Sequence, residues 1–313
     1  MHTGRGDGRT AGIARSARLT GWRKLAGATW RAPSDPQFFG AIDIDAAGLL
    51  ACVESLRKHS GVPVTITHLI GRAVAHGLQT VPAFRQRIAR GHEYPRESID
   101  VFFIVSADDG RELTGVKIAR ADAKSALDIS TELIQRCAAI DAGTDVEFGR
   151  TKRMLTALPG PLLRSAIRLS AWLTSDRNVN LPRFGLPRQA FGSAMITSVG
   201  MWGVSTAYSP LAAYYRVPVL ILVGAVESRP VVRAGSVVAR PMLTLTATFD
   251  HRYVDGLQAA QFAAAVRDYC AHPAAYEPDD VSSIATARTT CSTEAATGGE
   301  SPTPNPRSAA STA

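Results

Sequence analysis

The sequence predicts a two-layer α/β sandwich built on a mixed β-sheet. Helical patterns come early in the chain and strand patterns cluster late, an order that fits helices layered on one sheet. The 313 residues are 45% hydrophobic, enough for one large core or two small ones, and nothing divides the chain into independent halves. The longest apolar run, Val217–Val226, is ten residues, too short for a membrane span and suited to a buried strand.

The elements follow in order. Residues 1–18 are rich in Gly, Arg, Ala and Ser and read as a disordered tail. They lack the apolar stretch of a secretory signal. Residues 279–313, rich in Ser, Thr, Ala and Pro, read as a second disordered tail, which leaves 19–278 as the folded domain. Ala41–Ile44 reads as a strand and Ala46–His59 as a helix. Thr67 caps a second helix that runs to about Thr80 and stops before Pro82. Ile99–Ser106 is a strand with a turn at Asp108-Asp109-Gly110. Val116–Ile118 is a short strand and Ala123–Ile140 a helix. Within a segment at about 141–190, Leu162–Leu173 has an amphipathic helical pattern. Strands are expected near 194–198, 217–226, 230–238 and 241–249, and a last helix at 257–270.

The net charge is +8, and it is concentrated. Between Arg150 and Arg188 stand Arg150, Lys152, Arg153, Arg164, Arg168, Arg177, Arg183 and Arg188 against one acid, Asp176. This segment is either a solvated basic surface or a landing site for the phosphates of coenzyme A, an acidic partner or an anionic membrane surface. No aromatic-interleaved platform or binding motif accompanies the charge, so no nucleic acid partner is expected. The four cysteines, Cys52, Cys137, Cys270 and Cys291, have no paired spacing. That argues against a disulfide framework or a cysteine metal site and for a reduced, cytoplasmic setting. His68 and His76 lie eight apart on one helix, about 12 Å along its axis, too far for one metal ion. His92 and His272 sit in turn-like contexts. No metal site is expected.

One stretch carries chemistry. The alternating strand Met242–Phe249 leads to His251, then Asp255 and Gly256, then an Ala-rich helical pattern. A histidine thus stands where a strand ends and a loop begins, a place where rigid scaffolds present reactive groups. A short His-x-x-x-Asp-Gly pattern by itself is equally compatible with a structural histidine. Its flanks decide more. Phe249-Asp-His-Arg-Tyr-Val-Asp-Gly-Leu-Gln-Ala-Ala-Gln-Phe262 resembles the active-site signature of the acyltransferase catalytic core of 2-oxoacid dehydrogenase complexes, in the chloramphenicol acetyltransferase-like superfamily. Ala194-Met-Ile-Thr-Ser-Val-Gly-Met-Trp-Gly203 is similar to the family's strand-turn segment, and Val219–Val226, Arg229–Val232 and Val237–Met242 to its central strand and hairpin. Ala41–Leu50 and Ile99–Val105 match more loosely. The resemblance runs from about Trp22 to Pro273 with a gap in the middle.

The resemblance implies a chloramphenicol acetyltransferase-like fold and acyl transfer between a coenzyme A thioester and an acceptor, with no permanently bound cofactor. It makes His251 the general base, the task for which an imidazole's ordinary pKa is suited. Asp255 then orders the loop, Gly256 serves a turn that a side chain would obstruct, and Asp250 and Arg252 are structural. The oxyanion donor falls on Thr197, with Ser198 as the alternative. The family assembles as trimers with the site at the subunit interface, so a homotrimer or a multiple of three is expected. The chain also departs from the family. With only 18 or so residues ahead of it, the core is expected to lack a preceding lipoyl or peripheral-subunit-binding domain, and 141–190 is longer than the usual connection. The proline the family has after the Gly110 turn is missing from Arg111–Val116, and its Pro-x-x-Asn pattern is broken after Pro82. Two rival readings remain: a dihydrolipoyl acyltransferase working on a separate lipoyl carrier, and a non-catalytic scaffold that kept the fold.

Overall fold

The structure, a computed structural model, describes residues 24–25, 35–107, 112–142, 158–182 and 186–277. The chain divides into two compact units, Met1–Pro36 and Gln37–Ala313, and every element named here belongs to the second. Its strands are β1 (Gln37–Asp45), β2 (Gln86–Ala89), β3 (His92–Pro95), β4 (Val101–Ala107), β5 (Glu112–Ile118), β6 (Ala194–Ser198), β7 (Val219–Arg233) and β8 (Ser236–Asp250). Its helices are α1 (Ala47–Ser60), α2 (Ile66–Thr80), α3 (Ala126–Asp141), α4 (Gly160–Ala171) and α5 (Gly256–Ala271). Six strands form one sheet in the order β1-β8-β7-β6-β4-β5, and β2 and β3 make a separate hairpin. The contacts β4–β6 and β6–β7 are parallel and the rest antiparallel, so the sheet is mixed, as the sequence predicts.

Period-two alternation sorts the sheet's side chains onto two faces. Ile196, Ile221, Leu245 and Phe249 face α1, α2, α3 and α5 in one large core. Helix α2 is its centre: Leu69, Ile70, Ala73, Val74 and Leu78 are fully buried. Burying each large aliphatic side chain stabilises by about 1.5–3 kcal/mol. On the opposite face Phe102, Met195 and Leu220 pack with Leu211 and Val217 in a smaller cluster. Thr246 Oγ1 donates to Ala207 O at 2.5 Å and Thr248 Oγ1 to Ser209 O at 2.7 Å, fastening the 207–209 segment to that face.

The strands expected at 217–226, 230–238 and 241–249 are two long ones. β7 continues through Pro230 because β6 ends opposite Val223, leaving β7 paired further on with β8 alone among the described residues. A proline is tolerated on such an edge. The turn is Ala234-Gly235, both at positive φ (47° and 81°), the geometry of a tight hairpin. Where β7 bulges, between Val223 and Val226, its backbone meets the loop after β6. A Cβ on Gly224 would lie 2.1 Å from Ser205 O, and one on Gly200 would lie 2.5 Å from Gly224 O. Both glycines are there because two backbones touch.

Several boundaries also shift. The cap of α2 is Thr65, not Thr67, since Thr65 is the last residue with extended dihedrals (φ −124°, ψ 165°). The helix expected from Ala123 starts at Ala126, where Ser125 accepts from Asp128 N and the Asp128 carboxylate accepts from Ser125 N at 3.0 Å. β5 begins at Glu112, ahead of the expected Val116. His92 opens strand β3 and His272 caps the end of α5, so neither lies in a plain turn. The expected Leu162–Leu173 helix is α4, which continues into a π-helical turn at Trp172–Asp176. The turn at 108–110 and both expected tails lie outside the described residues, apart from the fold's last few residues to 277. Cys52 and Cys270 are free thiols. Burial pushes Cys52 up to about 11, with Glu277 adding to the effect, and burial pushes Cys270 up to about 12. Among the described residues no helix is long and apolar enough to cross a membrane.

His68 is part of this frame. Its Nδ1 accepts the Thr65 N–H at 3.0 Å, closing the first turn of α2. Burial, and secondarily the charge of Arg57, lowers its pKa from 6.5 to about 4. The neutral ring is therefore the native one, and its contribution is complete above pH 6.5 and lost as pH falls through about 4. The size is about 3 kcal/mol at 1.36 kcal/mol per pKa unit. His68→Gln keeps an acceptor and removes the titration. The parent's Tm should fall more steeply than the variant's between pH 6.5 and 4. Parallel melting curves for the two proteins over that range would refute this role.

Candidate functional site

The site is built where β8 runs out. β1 pairs with β8 so that Gln37 lies opposite Asp250 and Phe38 opposite Phe249. The two phenyl rings stack with centroids 4.9 Å apart. His251 is the next residue, exposed, with its ring 5.0 Å from that of Phe38. No hydrogen bond to the imidazole is present among the described residues, so a nitrogen is open to a substrate proton.

The turn after it is locked from both sides. Asp250 is 6% exposed, and its carboxylate accepts from Arg252 N at 3.0 Å and from Arg252 Nε at 2.9 and 3.1 Å. These bonds also raise the Arg252 pKa. Asp255 caps α5: its Oδ1 accepts from Leu257 N at 2.9 Å and Gln258 N at 3.3 Å, and Gln258 Oε1 accepts from Asp255 N at 2.9 Å. The loop-ordering task expected of Asp255 is thus shared with the Asp250–Arg252 pair. The expectation for Gly256 needs correction. Its φ is not in the left-handed region and an added Cβ would meet nothing within 4 Å, so no side chain is obstructed there within this chain.

Thr197 and Ser198 are not beside His251. Thr197 pairs with Leu222, which pairs with Thr246, five residues short of His251. Two strand spacings and five residues of rise amount to about 10 Å across the sheet and about 17 Å along it. No single copy can close that gap. The two hydroxyls also face opposite ways. Met195 belongs to the smaller cluster and Ile196 to the main core, so alternation turns Thr197 away from the helices and Ser198 toward them.

Phe38 is the site residue that sequence reading missed. It carries no local signal, and only the β1–β8 register brings it to His251. Among the described residues no group of three or more His, Cys, Asp or Glu is placed to hold a metal. Of the basic segment, Arg150, Lys152, Arg153 and Arg183 lie outside the described residues. Arg164 and Arg168 are exposed, one turn apart on α4; Arg177 stacks over Trp172 at 4.8 Å; Arg188 pairs with Glu97 through two oxygens. Arg188 is therefore neutralised and the free field is smaller than the sequence count.

The cap makes a sharp prediction. Asn caps a helix about as well as Asp, whereas Ala costs about 1 kcal/mol. Asp255→Ala should lower Tm by several degrees and Asp255→Asn by almost nothing. Equal losses in thermal melts of the two variants would show that the Asp255 charge, not the cap, is what matters.

Comparison with known proteins follows the same segment. Residues 189–276 match the family described as 2-oxoacid dehydrogenases acyltransferase (catalytic domain). The chain is 33% identical over 155 residues to the lipoamide acyltransferase component of the branched-chain alpha-keto acid dehydrogenase complex of Pseudomonas aeruginosa, covering 47% of this chain and 34% of that one. It is 34% identical over 120 residues to a probable dihydrolipoyllysine-residue succinyltransferase component of the mitochondrial 2-oxoglutarate dehydrogenase complex of Schizosaccharomyces pombe, covering 36% and 26%. The chain thus spans about a third or less of these relatives' length. The fold is shared with a probable dihydrolipoamide acetyltransferase of Listeria monocytogenes (TM-score 0.58, 18% identity, 85% of this chain and 97% of that one). It is shared also with the cubic core of a pyruvate dehydrogenase multienzyme complex (TM-score 0.58, 21% identity, 78% and 84%). The matched residues 189–276 hold both the His251 loop and β6, so the likeness to the 2-oxoacid dehydrogenases acyltransferase (catalytic domain) family falls on the candidate site itself.

Proposed function

We propose that this chain is an acyltransferase that passes an acyl group between thioesters, with His251 as general base. The observation that carries the reading is an exposed imidazole with no hydrogen-bond partner among the described residues, held at a strand end by Phe38 and by a turn locked through Asp250–Arg252 and Asp255. A ring nitrogen of His251 takes the proton of the attacking thiol. The sulfur adds to the thioester carbonyl, and the oxyanion of the tetrahedral intermediate is stabilised by a hydroxyl. The intermediate then collapses, and the departing sulfur recovers the proton from the imidazolium. Coenzyme A is one thiol partner. For the other we favour a lipoyl group on a separate carrier over an unrelated acceptor, because the relatives above act as lipoamide and dihydrolipoyllysine acyltransferases.

The hydroxyl must come from another copy, since β6 and His251 are too far apart in one. We propose a trimer, or a multiple of three, in which one copy's Thr197 or Ser198 faces the next copy's His251. Two neighbours support this. One is a cubic core, whose symmetry includes threefold axes. The other is an Azotobacter vinelandii dihydrolipoamide acetyltransferase, in which a serine, a histidine and an asparagine were investigated for roles in the catalytic mechanism. Asp255, four residues after His251, would hold the third position here.

His251→Ala should lower turnover of acetyl-CoA with dihydrolipoamide by about 10²–10⁴ and leave Tm unchanged. Near-parental turnover in that variant would refute the base assignment. Thr197→Val or Ser198→Ala, whichever removes the donor, should cost about 10²–10³. Mixing that variant with His251→Ala subunits and reassembling them should restore activity to about a quarter of the parent's, because some sites then pair two intact residues. A mixture no more active than either variant would place both groups in one copy and refute the shared site.

A further inference from the structure

We infer that the cleft between β1 and α5 receives the acyl chain, and that this chain is aliphatic and uncharged, of about four to eight carbons. The inference rests on the thioester chemistry proposed for His251 and goes beyond it by naming the acyl class.

The cleft holds about 250 Å³. Dry cavities of about 150 Å³ already admit benzene, so a six-carbon group fits with room to spare. Its position is tied to the reacting group. Phe38 lines it and bears on the His251 ring at 5.0 Å, and Gly256, one residue beyond the loop, lines it as well. An acyl carbonyl held at His251 therefore has open space behind it on the helix side of the sheet.

The space is not forced by the backbone. Gly40, Ala247, Ala260 and Ala263 stand where sheet and helix would ordinarily interdigitate larger side chains. A Cβ on Gly40 would lie 3.5 Å from Phe249 Cε2, an ordinary contact, and one on Gly256 would touch nothing. Neither glycine has a positive φ. Steric need explains neither glycine, and an occupant of the cleft would.

The lining also selects. Among the described lining residues Thr246 alone has a polar side chain, and its hydroxyl is spent on Ala207 O across the sheet. Among the described residues no charged side chain lines the cleft. A carboxylate carried on the acyl chain would be stripped of water with nothing to replace it. Each methylene buried there, by contrast, should strengthen binding roughly fourfold.

The test uses the intact chain with acetyl, isovaleryl, hexanoyl and succinyl thioesters of N-acetylcysteamine. Binding is read by calorimetry and turnover with dihydrolipoamide. Hexanoyl and isovaleryl should exceed acetyl by at least tenfold in affinity and in kcat/KM, and succinyl should fall below hexanoyl by about 10² or more. Ala263→Leu and Gly40→Val fill the cleft from opposite walls. Each should reduce the hexanoyl-to-acetyl ratio by about 10–200-fold. Gly40→Val lies on a strand, where a β-branched residue is favoured, and carries the test alone if Ala263→Leu does not fold. Succinyl matching hexanoyl, or chain preference unchanged in a folded filled variant, would overturn the inference. Binding with the expected preference but no turnover would uphold the cleft and sink the lipoyl-acceptor reading instead.

Discussion

The pairing of β1 with β8 is the constraint on which the rest of the site depends. It stacks Phe38 on Phe249, sets the edge against which the His251 ring rests, and supplies one wall of the cleft. A slip of one residue would turn Phe38 and Gly40 to the other face and Phe39 and Ala41 inward. Apolar alternation fixes that register at the His251 end. At the far end Asp45 accepts from Arg240 and Arg233, and Asp43 from Arg229 and Thr244. These pairs are partly exposed, so their contribution to stability is small. Their value is that no shifted pairing would reproduce all of them.

The second half of the molecule adds a different kind of rigidity. Gly200 and Gly224 let the loop after β6 lie directly on β7, backbone against backbone. Thr197 and Ser198 are therefore positioned by the same strand that pairs with β8. The histidine loop follows β8 and the hydroxyl segment ends β6, with β7 between them in one sheet. A rigid frame can keep two half-sites in fixed relation while neither is complete.

The sequence disclosed what is periodic or local. Met242–Phe249 could be read as a strand because one face meets helices and the other carries the buried threonines Thr244, Thr246 and Thr248. His251 and Asp255 were visible because a strand pattern ends and a helix pattern begins around them. Nonlocal facts stayed hidden. Pro230 reads as a breaker until one sees that β7 has outrun β6 there. Thr65 and Thr67 are equivalent capping candidates by composition, and only the extended backbone of Thr65 separates them. Thr197 and Ser198 could be named as hydroxyls, but alternation decides which way each points, and strand order decides that neither reaches His251. Phe38 depends wholly on a pairing between the two ends of the domain.

Two thiols, Cys270 buried and Cys52 half-buried, have a bearing on the chemistry proposed. With Cys52 held up to about 11 and Cys270 to about 12, each is almost wholly in its SH form at neutral pH, the thiolate being about one part in ten thousand or less. A protein handling activated thioesters runs the hazard of becoming its own acceptor, since any ionised cysteine would compete for the acyl group. Here the fold withholds these two nucleophiles by burying Cys270 and half-burying Cys52. Selectivity for the incoming thiol is then partly a matter of which sulfurs the protein permits to ionise.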